Sequence, residues 1–148
     1  MLAVVQRINQ AKVSVADKIV GQAGQGFLVF LGVVQGDTDK DLDYLVQKIS
    51  QLRVMADKDK KMNLSLKEVN GEVLVVSQFT LSANVQKGNR PSFINAADPK
   101  IGQHYYQEFI SRLKNLGLTV ASGQFGAYMK VQLTNDGPVT IILNSKDR

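Results

Sequence analysis

The segment "VVSQFTLSA" places polar side chains at the end of an apolar strand pattern, where they could form the rim of a reactive site. In a strand, Ser77, Phe79 and Leu81 point to one face. Gln78 and Thr80 point to the other. Thr80 carries a hydroxyl that could act as a nucleophile, but it would need a neighbouring base. The alternative is a threonine present for its β-propensity, and the spacing alone favours that alternative.

Bases are scarce in this chain, which has one histidine and no cysteine. His104 stands beside Tyr105 on an amphipathic helix pattern, and a surface or packing histidine is the favoured interpretation. A hydrolase built from this sequence would therefore depend on backbone N–H groups that stabilise an oxyanion. The substrate would supply part of the chemistry itself.

The sequence predicts no metal site and no cofactor. A single histidine, no cysteine and no acidic cluster with ligand spacing make a metal site improbable. The acids of "DTDKDLD" fit the negative charges of a helix N-terminus instead. "GQAGQG" (residues 21–26) matches neither the dinucleotide nor the P-loop spacing, and no helix pattern follows it. We interpret it as a loop between strands.

A second unusual segment is "NDGPVT" (residues 135–140), which has strand patterns on both sides. Asp136 and Gly137 favour a tight turn. Pro138 has no N–H for a ladder and fits only the start or the edge of a strand. An X-Pro bond can also be cis as a fixed structural feature. The residues alone leave these interpretations open.

The bulk composition indicates an ordinary globular protein of 148 residues with 44% apolar residues. No apolar run approaches a membrane span, no secretory leader is visible, and the absence of cysteine fits the cytosol, so we expect a cytoplasmic protein without membrane partners. The net charge of +5 mildly favours a polyanionic partner such as RNA. By charge alone, a merely basic surface is the better interpretation. The run "DKDKK" (residues 57–61) is typical of a solvated turn.

Two amphipathic helices are predicted. The first lies in "DTDKDLDYLVQKISQLRV", where Thr38 and Asp41 form a capping box. The second begins with Asp98 as N-cap and Pro99 in the first turn, and ends at Gly117. Its inward residues are Tyr105, Tyr106, Phe109, Ile110, Leu113 and Leu116.

The rest of the chain has strand patterns. Asn70-Gly71 lies between two of them and predicts a hairpin. The order is strands, helix, hairpin, helix, strands. We therefore expect an α+β fold with largely antiparallel, barrel-like β-sheets and two main helices, in a single domain spanning residues 1–148. This order does not match a doubly wound nucleotide-binding fold.

Several motifs taken together resemble those of D-aminoacyl-tRNA deacylases. The signature motifs are "SQFTL" (residues 77–81) and "NDGPVT" (residues 135–140). "VVQR" ending at Arg7, "KMNLS" (61–65), "RPSF" (90–93) and "GQFGAYM" (123–129) also agree. The resemblance spans nearly the whole chain in the right order. It implies a homodimer that hydrolyses D-aminoacyl-tRNA to free D-amino acid and tRNA, with active sites at the subunit interface.

The resemblance also implies how the substrate is held. The Gly137-Pro138 bond would be cis and enter the partner's pocket, where main-chain carbonyls bind the substrate's α-amino group. A D-residue would then point its side chain outward, whereas an L-residue would drive its Cβ into the backbone. Glycine has no Cβ, so glycyl-tRNA is a possible substrate. Arg7 would brace the loop. The alternative is that Arg7 is only a surface charge on an early strand.

The catalytic roles follow from the same resemblance. The N–H groups of Phe79 and Thr80 would form the oxyanion hole, and Ser77 and Gln78 would shape the pocket floor. The 2′-hydroxyl of the terminal adenosine would assist cleavage, with the Thr80 hydroxyl as an alternative nucleophile. Phe125 and Met129 match the residues that form the pocket for that adenosine in the family. The alternative is that both side chains belong to the ordinary core of the sheet.

Two other functions stay open at this stage. One is a non-catalytic RNA- or nucleotide-binding module, which the positive charge and the lack of a catalytic triad would suit. The other is a small-molecule esterase that uses Thr80.

Overall fold

In a computed structural model, which describes residues 1–148, the long strand β1 (Leu2–Val15) pairs with three other strands. The remaining elements are β2 (Lys18–Ala23), β3 (Gly26–Gly32), α1 (Asp39–Gln51), β4 (Met55–Ala56), β5 (Met62–Leu64), β6 (Glu72–Ser77), α2 (Pro99–Asn115), β7 (Thr119–Ser122) and β8 (Lys130–Asn144). Short 3₁₀ helices lie at Phe79–Ser82 and Ser145–Asp147.

The main sheet has the order β2-β1-β3-β6-β7, and β8 also pairs with β1. The sheet nearly closes on itself, because β2 approaches β7. A Cβ on Gly21 of β2 would lie 2.4 Å from the Ser122 carbonyl oxygen, so only glycine fits there. The predicted α+β class with barrel-like sheets and two helices is confirmed.

The sheet is more mixed than the sequence pattern predicts. β1 is antiparallel to β2, β3 and β8, whereas the β3–β6 and β6–β7 pairings are parallel. The reason is the position of the helices in the chain. α1 lies between β3 and β6, and α2 lies between β6 and β7, and helical crossovers of this kind join parallel strands.

The prediction of a hairpin at Asn70-Gly71 is wrong. β5 pairs with β4, and β6 pairs with β3 instead. Between β5 and β6 the chain turns, because the Glu68 carboxylate accepts hydrogen bonds from both the N–H and the hydroxyl of Ser65 (2.7 Å each). The hairpin that exists has "DKDKK" (residues 57–61) as its turn.

Both helices pack on one face of the sheet and have the predicted ends. Thr38 and Asp41 form the capping box of α1, and the Asp98 side chain accepts from the Lys100 N–H at the start of α2. Gly117 follows α2 with φ +83°. Leu116 was expected to point inward but is 39% exposed, since it is the C-cap residue, beyond the last turn of α2. Neither helix is long and apolar enough to cross a membrane.

Two apolar cores result from this packing. The larger lies between the helices and the sheet and includes Phe27, Leu45 and Phe109. The smaller lies inside the curled part of the sheet and includes Ile8, Leu28 and Val76. Burial on both faces explains the continuous apolar run "GFLVFLGVV" in and after β3.

Candidate functional site

The segment "SQFTL" leaves β6 where three parallel strands end together. Ser77 is the last residue of β6, and the Gln78 N–H donates to the Leu31 carbonyl of β3 (2.8 Å). On the other side, Gly123 follows β7 and donates its N–H to the Val75 carbonyl (2.9 Å). The carboxyl ends of parallel strands are a frequent place for ligand crevices.

The strand predicted through "SQFTL" ends at Ser77, and the chain then forms a 3₁₀ helix. Phe79 and Thr80 are the first two residues of this helix, and no side chain caps it. The leading N–H groups of such a helix have no partner within it. Phe79 is 57% exposed and Thr80 is exposed. The arrangement therefore presents two neighbouring N–H donors at the surface.

Gly32 of β3 allows this helix to lie close to the sheet. A Cβ at Gly32 would be 3.0 Å from the Gln78 carbonyl oxygen and 3.1 Å from Leu81 Cβ. Any larger residue would have to push the 3₁₀ helix outward. The position of the two N–H groups is thus fixed by backbone packing as well as by sequence.

The Thr80 hydroxyl has no base beside it. Its oxygen accepts a hydrogen bond from the Gln78 side-chain amide at 2.5 Å, and an amide cannot remove a proton at neutral pH. His104 is exposed on α2, where its ring lies 5.3 Å from that of Tyr105. The geometry favours the backbone N–H groups over a threonine nucleophile.

An aromatic pair borders the 3₁₀ helix. The Phe79 ring meets the Phe93 ring edge-on at 5.1 Å, which ties the "RPSF" segment to the site. A bridge between Asn84 and Ser92 closes the intervening loop. Arg90 lies exposed on this loop.

Phe125 lines a groove of about 510 Å³ between α2 and the end of β7. Its ring packs against that of Tyr106 at 5.7 Å and rests on Gly102 of α2. The Tyr106 hydroxyl donates to the Val75 carbonyl (2.9 Å), and burial raises the pKa of Tyr106 to about 12. Met129 does not line this groove. It packs against the smaller core, beside Gly123.

Residues 135–140 form a bulged loop within the single strand β8, not a turn between two strands. Gln6 pairs with Thr140 and Ile8 pairs with Asn135, so β1 advances by two residues while β8 advances by five. The extra residues include Gly137 and Pro138, which are exposed and joined by a cis peptide bond.

Arg7 connects this loop to the rest of the molecule. Its Nε donates to the Asp136 carbonyl (3.0 Å), and its Nη1 donates to the Val54 carbonyl (2.7 Å). The Arg7 side chain is only 11% exposed, so these bonds are shielded from water. Arg7 therefore joins three segments that are distant in sequence.

Asn135 holds the loop from inside, a role that the sequence reasoning missed. Its Oδ1 accepts from the Val139 N–H (2.8 Å), and its Nδ2 donates to the Thr140 hydroxyl (3.1 Å). The Gln6 amide donates to the same hydroxyl (3.1 Å). The sequence carried a signal for this role, since the side chain of an asparagine at the start of a turn-like segment commonly forms hydrogen bonds with nearby backbone groups.

The loop and the 3₁₀ helix lie far apart within one chain. In the β1–β3 pairing, Arg7 is opposite Phe27, whereas Leu2 is opposite Gly32, which adjoins the 3₁₀ helix. Five residue steps along a strand span about 17 Å. The loop therefore lies at one end of the β1–β3 pairing and the "SQFTL" segment at the other.

An exposed apolar row crosses the sheet between these two ends. Ile142 of β8 is opposite Val4 of β1, and Val4 is opposite Phe30 of β3. Ile142 is 76% exposed, and the other two are partly exposed. Together these residues, the row 142-4-30, form an uncovered apolar strip.

Nowhere do three or more His, Cys, Asp or Glu side chains gather in a way that could hold a metal ion. The catalytic possibilities of this surface therefore rest on main-chain donors, main-chain carbonyls and uncharged side chains. Such groups can bind an oxyanion and an ammonium group.

Known proteins are similar to this chain over nearly its whole length. The profile of the family described as D-Tyr-tRNA(Tyr) deacylase matches residues 4–144. A D-aminoacyl-tRNA deacylase of Clostridioides difficile (strain 630) is 52% identical over 145 residues, covering 98% of this chain and 97% of the relative. One of Thermotoga petrophila is 53% identical over 145 residues, with the same coverage.

Solved structures show the same fold. A structure titled "c-Myc DNA Unwinding Element Binding Protein" superposes with a TM-score of 0.91 at 41% identity, covering 97% of this chain and 98% of that one. A structure titled as a probable eukaryotic D-amino acid tRNA deacylase gives a TM-score of 0.83 at 21% identity, covering 96% and 97%.

Proposed function

The chain belongs to the D-Tyr-tRNA(Tyr) deacylase family and is a D-aminoacyl-tRNA deacylase, and on this premise we propose how its residues cleave the ester and select the D-isomer. The substrate is an aminoacyl-tRNA. Water attacks the carbonyl carbon, the bond to the terminal ribose oxygen breaks, and free D-amino acid and tRNA are released. The activity clears D-residues from tRNA before translation.

The N–H groups of Phe79 and Thr80 stabilise the negative charge that develops on the carbonyl oxygen. Two donors fixed at the start of a 3₁₀ helix need no reorganisation during the reaction. As the family resemblance implies, the 2′-hydroxyl of the terminal adenosine assists cleavage, and the lack of a base beside the Thr80 hydroxyl agrees with this role. Ser77 and Gln78 shape the floor of the pocket. Phe125 packs against the adenosine from the groove that it lines, and Met129 supports the Gly123 wall of that groove from the smaller core.

The active site is completed by a second copy of the chain. The observation that carries this proposal is the distance of about 17 Å along the strands between the Gly137-Pro138 loop and the 3₁₀ helix of the same chain. In a two-fold dimer formed over the row 142-4-30, the loop of each copy meets the 3₁₀ helix of the other. The dimer also covers the exposed apolar strip of the row 142-4-30.

The loop selects the D-isomer by shape. Main-chain carbonyls of Gly137 and Pro138 accept hydrogen bonds from the α-ammonium group, while the 3₁₀ helix holds the ester. With both groups fixed, a D-side chain points to solvent and an L-side chain meets the backbone. This rejection does not depend on side-chain identity. Glycine has no Cβ to reject, so glycyl-tRNA, including glycine mischarged on a non-cognate tRNA, is also a substrate.

Hydrolysis of D-tyrosyl-tRNA and L-tyrosyl-tRNA under identical conditions tests the proposed selection. We expect loss of the D-ester only. Binding of both substrates without hydrolysis would indicate an RNA-binding module, and cleavage that ignores the tRNA moiety would indicate a small-molecule esterase. Equal hydrolysis of both isomers would contradict selection by the loop.

A further inference from the structure

The turn of the β4–β5 hairpin (residues 55–64) carries three lysines together with two acids, Asp57 and Asp59. Lys58, Lys60 and Lys61 are exposed at its turn and form no ion pair. The side-chain ion pairs of the molecule use other cations, namely Arg7, Arg112, Lys130, Lys146 and Arg148. The three hairpin lysines are therefore available to an external anion.

One of the two acids, Asp57, is occupied within the turn, whereas the exposed Asp59 leaves three lysines against one free acid. Asp57 Oδ1 accepts from the N–H groups of Asp59 and Lys61 (2.9 Å each), and Oδ2 accepts from the Asn63 amide (2.7 Å). The hydrogen bond from Asn63 and those from the backbone hold the pKa of Asp57 below its usual range. Asp57 thus shapes the turn and does not pair with the lysines.

The hairpin is attached to the loop that selects the substrate. Arg7 bonds the Asp136 carbonyl with Nε and the Val54 carbonyl with Nη1, and Val54 immediately precedes β4. The turn begins three residues after Val54, which is a reach of about 10 Å in extended chain. In the proposed dimer, a loop that enters the partner's pocket would bring its own hairpin near the rim of that pocket.

We propose that Lys58, Lys60 and Lys61 of one protomer bind the phosphate backbone of the tRNA whose ester occupies the partner's pocket. This inference rests on the proposed function, because the tRNA enters that pocket by its 3′ end. Lysine is suited to the task, since phosphate contacts position a nucleic acid without reading its sequence. The contact strengthens binding of every tRNA alike and does not contribute to the choice between D- and L-residues.

The test replaces Lys58 by Gln, Lys60 by Asn and Lys61 by Gln in one variant. Asn is chosen at residue 60 because Lys60 has φ +61°, which asparagine tolerates. The matched control replaces three exposed helix lysines by Gln and changes the net charge equally. These control positions are Lys40, Lys48 and Lys114.

Three readouts are compared at several salt concentrations: kcat/KM on D-tyrosyl-tRNA, kcat/KM on the D-tyrosyl ester of adenosine, and Kd for uncharged tRNA. For the hairpin variant we expect kcat/KM on the tRNA substrate to fall on the order of tenfold at low salt, through KM. The slope of log Kd against log salt should fall by about 2. Activity on the adenosine ester should stay unchanged.

Each other result has a defined meaning. If the hairpin variant matches the control in slope and in kcat/KM on tRNA, the inference is overturned and the deacylase mechanism stands. An equal loss on the adenosine ester would also overturn it, since that ester has no phosphates. If the unmodified protein cleaves neither ester, the proposed function itself fails.

Discussion

Arg7 and Asp136 are joined twice, because Arg7 Nε donates to the Asp136 carbonyl at 3.0 Å and lies 3.2 Å from its carboxylate. The same guanidinium holds the Val54 carbonyl at 2.7 Å. Lysine offers one point charge in place of this planar fork and cannot satisfy both carbonyls in the same way. The loop position therefore depends on arginine at this site.

Arg7→Lys should lower kcat/KM on D-tyrosyl-tRNA by about tenfold and reduce the preference for D over L. A hydrogen bond to a charged group is worth about 1.5–3 kcal/mol, and about 1.4 kcal/mol corresponds to tenfold in rate. Steady-state kinetics on both isomers measure the effect. The matched control is Arg112→Lys on α2, which should leave both rates unchanged. Unchanged selectivity in Arg7→Lys would show that Arg7 does not hold the loop.

Thr80→Ala should retain turnover within about threefold of the unmodified protein, because removal of the side chain leaves the backbone N–H donors in place. Thr80→Ser serves as the control that keeps the hydroxyl. Single-turnover hydrolysis of D-tyrosyl-tRNA is the measurement. A drop of about a hundredfold or more in Thr80→Ala, with Thr80→Ser active, would establish the hydroxyl as nucleophile instead.

Gly137→Ala should reduce activity at least tenfold. Gly137 has φ +136°, and an added Cβ would lie 2.7 Å from Val139 Cγ2, so the loop must move. The control is Gly36→Ala, where φ is +78° but no atom lies within 4 Å of the new Cβ. That variant should lose about 1 kcal/mol of stability and keep its activity. Equal activities of the two variants would rule out a role for the loop's shape.

Asp41→Asn should destabilise the fold by about 1–3 kcal/mol, because it removes the buried acid of an ionic network whose cations, Lys146 and Arg148, are partly exposed. Asp41 Oδ1 accepts from Ser145 and Lys146 (2.8 Å each) and from Arg148 (2.9 Å). Although burial acts in the opposite direction, the hydrogen bonds from Lys146, Ser145 and Thr38 hold the pKa of Asp41 well below its usual range.

The pH dependence of Asp41→Asn follows from the lowered pKa. Stability from an acid with a lowered pKa is fully present above its unfolded pKa of about 3.9 and is lost as pH falls. The difference in free energy of unfolding between the unmodified protein and Asp41→Asn should therefore shrink below about pH 4. Urea denaturation across pH measures it. The exposed Asp39→Asn is the control and should cost less than about 1 kcal/mol.

The sequence predicted the helices and their caps because each depends on residues close in the chain, such as Thr38 with Asp41. It could not predict which strands pair. β5 and β6 have similar residue patterns, and their partners depend on where the helical crossovers place each strand. Both signature segments were recognised, and the cis bond at Gly137-Pro138 was expected, but the 3₁₀ helix and the bulge were not. Close packing on Gly32 turns "SQFTL" into a 3₁₀ helix after Ser77, and Asn135 folds "NDGPVT" into a bulge.

The central claim is that each active site combines the 3₁₀ helix of one copy with the loop of the other. Mixing two strongly impaired variants, Gly137→Ala and Thr80→Pro, tests it most directly. Thr80→Pro removes one of the two N–H donors, which should cost about a hundredfold in rate. Differently tagged chains are co-expressed, and mixed dimers are isolated and assayed.

If the site is shared, a mixed dimer has one site built from an intact 3₁₀ helix and an intact loop. Statistical mixing makes about half of the dimers mixed, so the unfractionated sample should recover about a quarter of normal activity on D-tyrosyl-tRNA, and purified mixed dimers about half. Activity no higher than that of the two parent variants would contradict the account, because it would mean that each chain builds its site alone.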